Sequence, residues 1–482
     1  MARTYERLPI QDSSFLAFET ATTHMHLGGV SIFETGSLAT TEGGIDIDRI
    51  RAHIGSRLHL IPRYRQRLAF IPLQSHPVWV DDQHFDLHYH VRHTSLPRPG
   101  DERQLKRLTA RIMSQALDRG KPLWEAWVVE GLEGGRFALV VKTHHCMADG
   151  ISAVDLLTVL LNTSGDEALD APPRWRPRPT PTPGQLLRDE LVRSAAAPFR
   201  FARSVSELLR RPDGLRTEVV GSLGGVWQTI TAGLAGAAPT PLNRPVGPHR
   251  RFDWLTLDLE VAKQIKNRLG GTVNDVVLAT VAGAVGTFLR RQGVDVHGLD
   301  YRAVVPVSVR TAEERGITSN RASAWLTPLP VGERDPRRRL MKIRTRTAHL
   351  KATKQALGPW ALLQVAEWAV PVLVSLGIRL TEWLHPYNLI VTNIPGPPVP
   401  IYLLGSRMLA GYPLVPLFEN QGLGVAIFSY VGTLHVGVNA DLDQVPALHE
   451  FTRALEESFA ELHVAAGVTA PDAGAAPIRA SG

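Results

Sequence analysis

The residues best suited to chemistry in this sequence are consecutive: His144-His145-Cys146-Met147-Ala148-Asp149-Gly150. They follow an apolar run and precede a helical pattern, so a side chain in the turn between them can point into a cleft. An imidazole titrates near neutrality and can take a proton from a hydroxyl at physiological pH. His145 is therefore a candidate general base, with His144 beside it. Asp149 is placed to orient the loop or hold a basic partner, and Gly150 permits a backbone angle that other residues resist. Two blander readings compete: a metal site, or a pair of core histidines. Neighbouring residues on a strand point apart and no third ligand stands nearby, so no metal is expected. Cys146 is the single cysteine, which excludes an internal disulfide and a cysteine-based metal site. It reads as a small buried residue beside the motif and fits a reducing compartment.

The elements that must position these residues can be read from hydrophobic spacing. His26 to Phe33, Pro77 to Val80, Pro122 to Val129 and Phe137 to Val141 read as strands, the last two joined by a turn at Gly134-Gly135. Ile45 to Leu60, Arg103 to Ala116 (Leu105, Leu108 and Ile112 on one face) and Ile151 to Leu161 read as helices. Residues 165–245 differ in composition. A Pro-rich stretch from Ala171 to Gly184 should be extended. Arginine-rich helical segments follow, with Leu187, Leu191 and Ala195 on one face and Phe201, Val205 and Leu209 on another. Beyond them, Phe252 to Leu259 and Tyr301 to Val309 read as strands and Val273 to Arg290 as a long apolar helix. Gly424 to Tyr430 and Leu434 to Val438 form a hairpin around Val431-Gly432-Thr433. The chain divides into a first lobe (1–164), a linker (165–245), a second lobe (246–467) and a disordered tail (468–482). Strands and helices mix in both lobes, an α/β or α+β class with two similar halves.

Composition narrows the partners. Of 482 residues, 44% are hydrophobic and 21% charged, which excludes disordered and fibrous classes. A formal net charge of +7 fits an anionic partner, but no basic tract or aromatic-basic ladder is present and no nucleic acid is expected. The N-terminus has no apolar h-region, so no signal peptide is expected. The apolar stretch from Trp360 to Trp383 is interrupted by Glu367, Pro371 and Arg379, too often to span a bilayer.

The histidine motif, HHxxxDG, resembles the signature of the chloramphenicol-acetyltransferase-like superfamily. Over nearly the whole chain the sequence is similar to the bacterial wax ester synthase/diacylglycerol acyltransferase family. The similarity is carried by Leu8 to Val30 with its Met25-His26-Leu27-Gly28-Gly29 element, Pro122-Leu123-Trp124, Leu242 to Arg251, Asn274-Asp275, Asn393 to Pro397, Tyr402 to Gly405 and Ser429 to Leu434. Val431 stands in a turn where that family often carries a polar residue.

The resemblance implies two lobes of one fold with the active-site channel between them and His145 as the general base. It implies direct transfer through a ternary complex of enzyme, acyl-coenzyme A and a lipid hydroxyl, so Cys146 need not be a nucleophile. Acyl-coenzyme A is then a co-substrate and no cofactor is permanently bound. Diacylglycerol or a long-chain alcohol is the acceptor. Asp149 is expected to fix the loop through an ion pair. Asn274 and Asp275 either cap a helix or shape the site opposite His145. His26 lines the channel or is a satisfied core histidine, and Pro122, Leu123 and Trp124 are structural. Asn274, Ser308 and Asn393 are candidate oxyanion donors. Arg250, Arg251, Arg310 and Arg321 are candidates for the coenzyme's phosphates. The linker's basic, apolar-striped helices suit an anionic surface. The expected location is cytoplasmic, on the inner face of the membrane or on lipid droplets. Two alternatives are a non-catalytic lipid-binding protein of lipid droplets and a carrier-protein-dependent acyl condensation enzyme of the same fold.

Overall fold

The computed structural model describes residues 4–147, 157, 159–164, 174–195, 236–308, 322–352 and 386–467. Asp149, Gly150, Arg310 and Arg321 lie outside these residues, as do the 201–209 helical segment, most of the 151–161 helix, the 360–383 stretch and the 468–482 tail.

The first part of the chain runs β1 (Tyr5–Arg7), α1 (Ile10–Phe18), β2 (His26–Glu34), α2 (Ile47–Arg57), β3 (Gln66–Phe70), β4 (Pro77–Asp81), α3 (Leu87–His90), β5 (Val91–Ser95), α4 (Glu102–Ser114), β6 (Trp124–Leu132) and β7 (Arg136–His144). After α5 (Pro183–Ala195) come β8 (Arg250–Asp258), α6 (Leu259–Leu269), α7 (Val273–Arg291), β9 (Tyr301–Ser308), β10 (Ala322–Leu329) and α8 (Pro336–Ala352). The chain ends with β11 (Leu389–Pro395), β12 (Tyr402–Leu403), β13 (Ser406–Leu414), β14 (Leu423–Tyr430), β15 (Thr433–Asp441) and α9 (Leu448–Ala465). Helix boundaries follow local chemistry. Asp101 and Gln104 close a capping box on α4, and Thr272 and Asp275 close one on α7.

Two six-stranded sheets carry the architecture, in the orders β12-β13-β2-β7-β6-β5 and β10-β9-β11-β14-β15-β8; β1, β4 and β3 form a smaller sheet. The first sheet borrows β12 and β13 from the second half of the chain. A division at residue 246 has no place for this crossing, which exists because β13 pairs antiparallel with β2. The exchange explains the Gly28-Gly29 pair, for β2 is squeezed between β7 and β13. A Cβ at Gly28 would stand 2.2 Å from the Val141 carbonyl oxygen, and one at Gly29 3.0 Å from that of Tyr412. Phe252 and Trp254 of β8 pack into the same apolar cluster as Val30, Val140 and Ile112 of the first lobe.

The core of the second lobe lies between its sheet and helices α7, α8 and α9. Among the described residues one helix, α7, is long and apolar enough to cross a membrane, and 78% of its apolar window is buried in this core. From Arg174 to Thr182 the Pro-rich stretch has no regular secondary structure and is fastened to the first lobe, while Pro183 and Gly184 already open α5 and residues 171–173 lie outside the described residues. Arg178 grips Asp81 at 2.8 Å, and Trp175 takes the Arg65 guanidinium over its ring. On helix α5 Leu187, Leu191 and Ala195 lie on one side, as their spacing requires. Leu186 and Glu190 turn inward and Leu191 is 61% exposed, because Arg7 pairs with Glu190 and draws that side of the helix onto β1.

The β14–β15 turn is two residues long, with Val431 at φ 43° and Gly432 at φ 78°. Such turns favour asparagine or glycine at the first position, and a β-branched residue there is strained. Val431→Asn should stabilise the protein by about 0.5–1 kcal/mol. Its urea midpoint should rise; an unchanged or lower midpoint would refute strain at this turn.

Candidate active site

Pairing of β2 with β7 puts His26 directly opposite His144. Both imidazoles therefore project from the same face of the sheet. The His144 amide donates to the Leu123 carbonyl (2.9 Å), and there the strand ends. The short turn His145–Met147 follows, and the His145 amide donates to Met25 at 2.7 Å. The backbone at the candidate base is thus pinned from both neighbouring strands, as it must be if its ring is to hold one direction. That ring stacks on Phe15 of α1, with centroids 3.6 Å apart and planes at 15°.

Its Nδ1 is buried and makes no hydrogen bond among the described residues, while its own main-chain carbonyl favours the protonated ring. Burial is the main influence and pushes the ring's pKa down to about 4; nearby His144 lowers it further, and the carbonyl opposes both. The imidazole is consequently a neutral base at physiological pH.

A second group of side chains lies behind the turn. Glu19, the residue after α1, sits among His24, His26, His144 and Arg119. Burial pushes its carboxyl up, but contacts with His144, His24 and Arg119 outweigh this and hold it well below the usual carboxylate range. His26 is buried, and its pKa falls well below the usual value, chiefly through desolvation and then through Lys142. His26 thus belongs to this buried group.

The other nominated residues separate into distinct environments. Leu123 and Trp124 are fully buried, and Pro122 is buried beside them. Trp124 donates to Tyr64 (2.8 Å) and stacks on His90. Asp275 completes the cap of α7 and accepts from Thr347 at 2.7 Å, while Asn274 is half-buried in the same first turn. Asn393 is half-buried on β11 and Ser308 ends β9. Arg250 needs correction as a phosphate ligand. It is 7% exposed and donates to the carbonyls of Gly247 (2.6 Å) and Thr22. Arg251 is exposed on the same strand.

Cys146 is fully buried, and burial raises its thiol well above the usual value, with Asp12 and Glu19 adding to the shift. A thiol so disposed is not a nucleophile at neutral pH. Cys146→Ala should keep kcat within about threefold of the parent, since no step uses the sulfur. A larger loss in a variant of unchanged stability would assign the sulfur a role.

Reading the sequence missed Glu19 and the aromatic residues. Phe15 and Glu19 lie four apart, one helical turn, and so share a side of α1. That spacing was the available signal. From Phe15 the rings continue to Phe18 (6.5 Å between centroids), Phe418 (5.6 Å further) and Tyr387 (6.4 Å further), reaching the second lobe. Thr23 donates to Glu419 at 3.1 Å beside this run.

A two-lobed fold with an exchanged strand and a histidine turn at the lobe boundary defines the class of chloramphenicol-acetyltransferase-like acyltransferases and condensation domains. Sequence profiles of the wax ester synthase/diacylglycerol acyltransferase catalytic domain and of the corresponding C-terminal domain match residues 8–277 and 318–463. A probable diacylglycerol O-acyltransferase of Mycobacterium tuberculosis is 32% identical over 463 residues, 94% of each chain. A putative one of Mycobacterium bovis is 33% identical over 472 residues, 95% of this chain and 98% of the other. The solved wax ester synthase/diacylglycerol acyltransferase from Marinobacter aquaeolei VT8 superposes with a TM-score of 0.69 at 26% identity, covering 96% of this chain and 100% of that one. The starter condensation domain of rhizomide synthetase shares the fold at 10% identity, with a TM-score of 0.58 over 96% of this chain and 95% of its own. The chain belongs to the wax ester synthase/diacylglycerol acyltransferase family and is an acyltransferase.

Proposed function

We propose that this protein moves a fatty acyl group from acyl-coenzyme A to the hydroxyl of diacylglycerol, with long-chain alcohols as further acceptors, and that His145 is the general base. The observation that carries the reading is the neutral His145 ring, held by Phe15 at the lobe boundary with its Nδ1 buried. Nε2 takes the acceptor's hydroxyl proton as the oxygen attacks the thioester carbonyl. The carbon–sulfur bond then breaks, and the leaving thiolate recovers the proton from the imidazolium. A covalent acyl-enzyme is unnecessary, in keeping with the buried Cys146 thiol. The aromatic run from Phe15 to Tyr387 suits an acyl chain, because large apolar side chains line lipid sites. Diacylglycerol is favoured by the names of the mycobacterial relatives.

The test is release of free thiol from palmitoyl-coenzyme A, with diacylglycerol and hexadecanol offered separately. Release that requires an acceptor supports the reading, and the faster acceptor is the preferred one. Absence of release with both acceptors, or turnover only with an acylated carrier protein, overturns it.

The reading includes a peripheral position on the cytoplasmic face of the membrane or on lipid droplets, where such acceptors reside. Exposed Leu73 (91%), Leu191 (61%) and Val192 (66%) support it. These side chains belong to the β3–β4 connection and to α5, which share an apolar cluster through Ile71 and Leu186. Flotation with anionic phospholipid vesicles tests this: protein left at the bottom of the gradient excludes it.

A further inference from the structure

The buried group behind the turn has no part in the mechanism above. Glu19 reaches four side chains of the first lobe. Its carboxylate lies 3.5 Å from His144 Nε2 on β7, 3.7 Å from His24 Nδ1 and 3.9 Å from His26 Nε2 on β2. Arg119, between α4 and β6, donates to it from Nε at 3.0 Å and also reaches the Leu16 carbonyl of α1 at 3.3 Å. The Glu19 side chain is 9% exposed and that of His144 1% exposed. Burying a carboxylate among imidazoles is costly unless the charge is met, and here it is met.

The hydrogen bonds of His144 define its state. Nδ1 accepts the Cys146 amide at 3.1 Å, so Nδ1 carries no proton. The ring's proton is therefore on Nε2, which is buried, makes no hydrogen bond among the described residues and faces Glu19. At 3.5 Å the contact is electrostatic rather than a short hydrogen bond, and it selects this form of the ring. The opposite tautomer would turn a lone pair toward the carboxylate and an N–H toward the Cys146 N–H, and both ends would repel. Cys146 lies in the turn that presents His145, so the state of His144 is coupled to the direction of the base. Glu19 also ends the helix that holds Phe15 against the His145 ring.

We propose that Glu19 is a positioning residue for acyl transfer: through His144 it fixes the Cys146 amide and hence the turn that aims His145. The inference rests on His145 being the general base. Glu19 acts on the rate of the chemical step and not on the affinity for either substrate.

The test compares Glu19→Gln in two backgrounds, the parent and His144→Asn. The asparagine carbonyl can replace Nδ1 as acceptor for the Cys146 amide but has no Nε2 end facing Glu19. In the parent, Glu19→Gln should lower kcat about 30-fold with both KM values within about twofold. In His144→Asn, whose own activity will be reduced, the same change should cost less than about threefold, because the interaction it removes is already gone. Equal losses in the two backgrounds, or a change confined to KM, would overturn the proposal. An activity-independent measurement accompanies the assay. Amide hydrogen exchange of the peptide containing Cys146 should accelerate in Glu19→Gln, and unchanged exchange also overturns the proposal. If Glu19→Gln does not fold, Glu19→Asp, which retracts the carboxylate by one methylene, carries the same comparisons with smaller expected losses. His145→Ala assayed alongside separates the two levels. Full activity there overturns the general-base reading and this proposal with it. Inactive His145→Ala with equal Glu19 losses overturns the role of Glu19 alone.

Discussion

His145→Ala should lower acceptor-dependent thiol release about 10²–10⁴-fold, the range associated with a positioned general base. The loss should appear in kcat, with KM values little changed, because the imidazole acts on the hydroxyl proton only as the carbonyl is attacked. The variant should remain folded: the hydrogen bond from the residue 145 amide to the Met25 carbonyl is a main-chain contact, and Phe15 loses one stacked ring. The parent's pH dependence carries the same argument. With the His145 pKa pushed down to about 4 by burial, the ring is the neutral base above that value and is protonated below it. A plot of kcat/KM against pH should therefore lose activity on the acid side near pH 4, where an exposed histidine would lose it near 6.5. An acid limb at the higher value would mean that the ring is solvated in the working enzyme. His145→Ala with near-parental kcat would remove it from the chemistry altogether.

The parts of this site visible in the sequence are those made by neighbours along the chain. Alternating apolar residues marked β2, β6 and β7, and the motif placed His145 just beyond a strand end. The Gly28-Gly29 pair was visible, but its reason was not. It depends on β13, which arrives from nearly four hundred residues away and was not read as a strand; periodicity along a segment does not name the sheet it joins. Glu19 was hidden for the same reason. Helical spacing connects it with Phe15, but only the pairing of β2 with β7 brings His26 and His144 to its carboxylate. On α5 helical periodicity puts Leu187, Leu191 and Ala195 on one face but does not say which side turns inward; the ion pair between Arg7 and the buried Glu190 decides that. Periodicity ranks faces by apolar content; a partner supplied by another element can override that ranking.

The same limit applies to arginines, and Arg250 gives the second large effect. Arg250→Met should destabilise the protein by about 3–5 kcal/mol, the usual result of removing one partner from a buried charged network. The guanidinium donates to Thr22 and Gly247, its Nη1 lies 4.0 Å from the 1%-exposed Asp441, and the Arg250 amide donates to Ser114 at 2.9 Å. Methionine fills much of the volume but supplies none of the donors, so both carbonyls are stranded and Asp441 loses a cation. Desolvation lowers the arginine's pKa and Asp441 opposes it, yet the group stays charged throughout the accessible pH range. The expected signature is a large fall in the urea midpoint, with the KM for acyl-coenzyme A unchanged in the folded fraction. Arg251→Ala is the informative comparison. Its side chain is exposed on the adjacent position of β8, so its stability should change by less than about 0.5 kcal/mol. If Arg250→Met kept its stability and raised the coenzyme KM, the arginine would be a phosphate ligand after all. If stability alone falls, the residue is a bracket between lobes: Thr22 and Ser114 belong to the first and Asp441 to the second. Loosening it would widen the boundary that the Thr23–Glu419 contact and the aromatic run both cross. Activity would then decline with unfolding of the whole rather than through any step of the transfer.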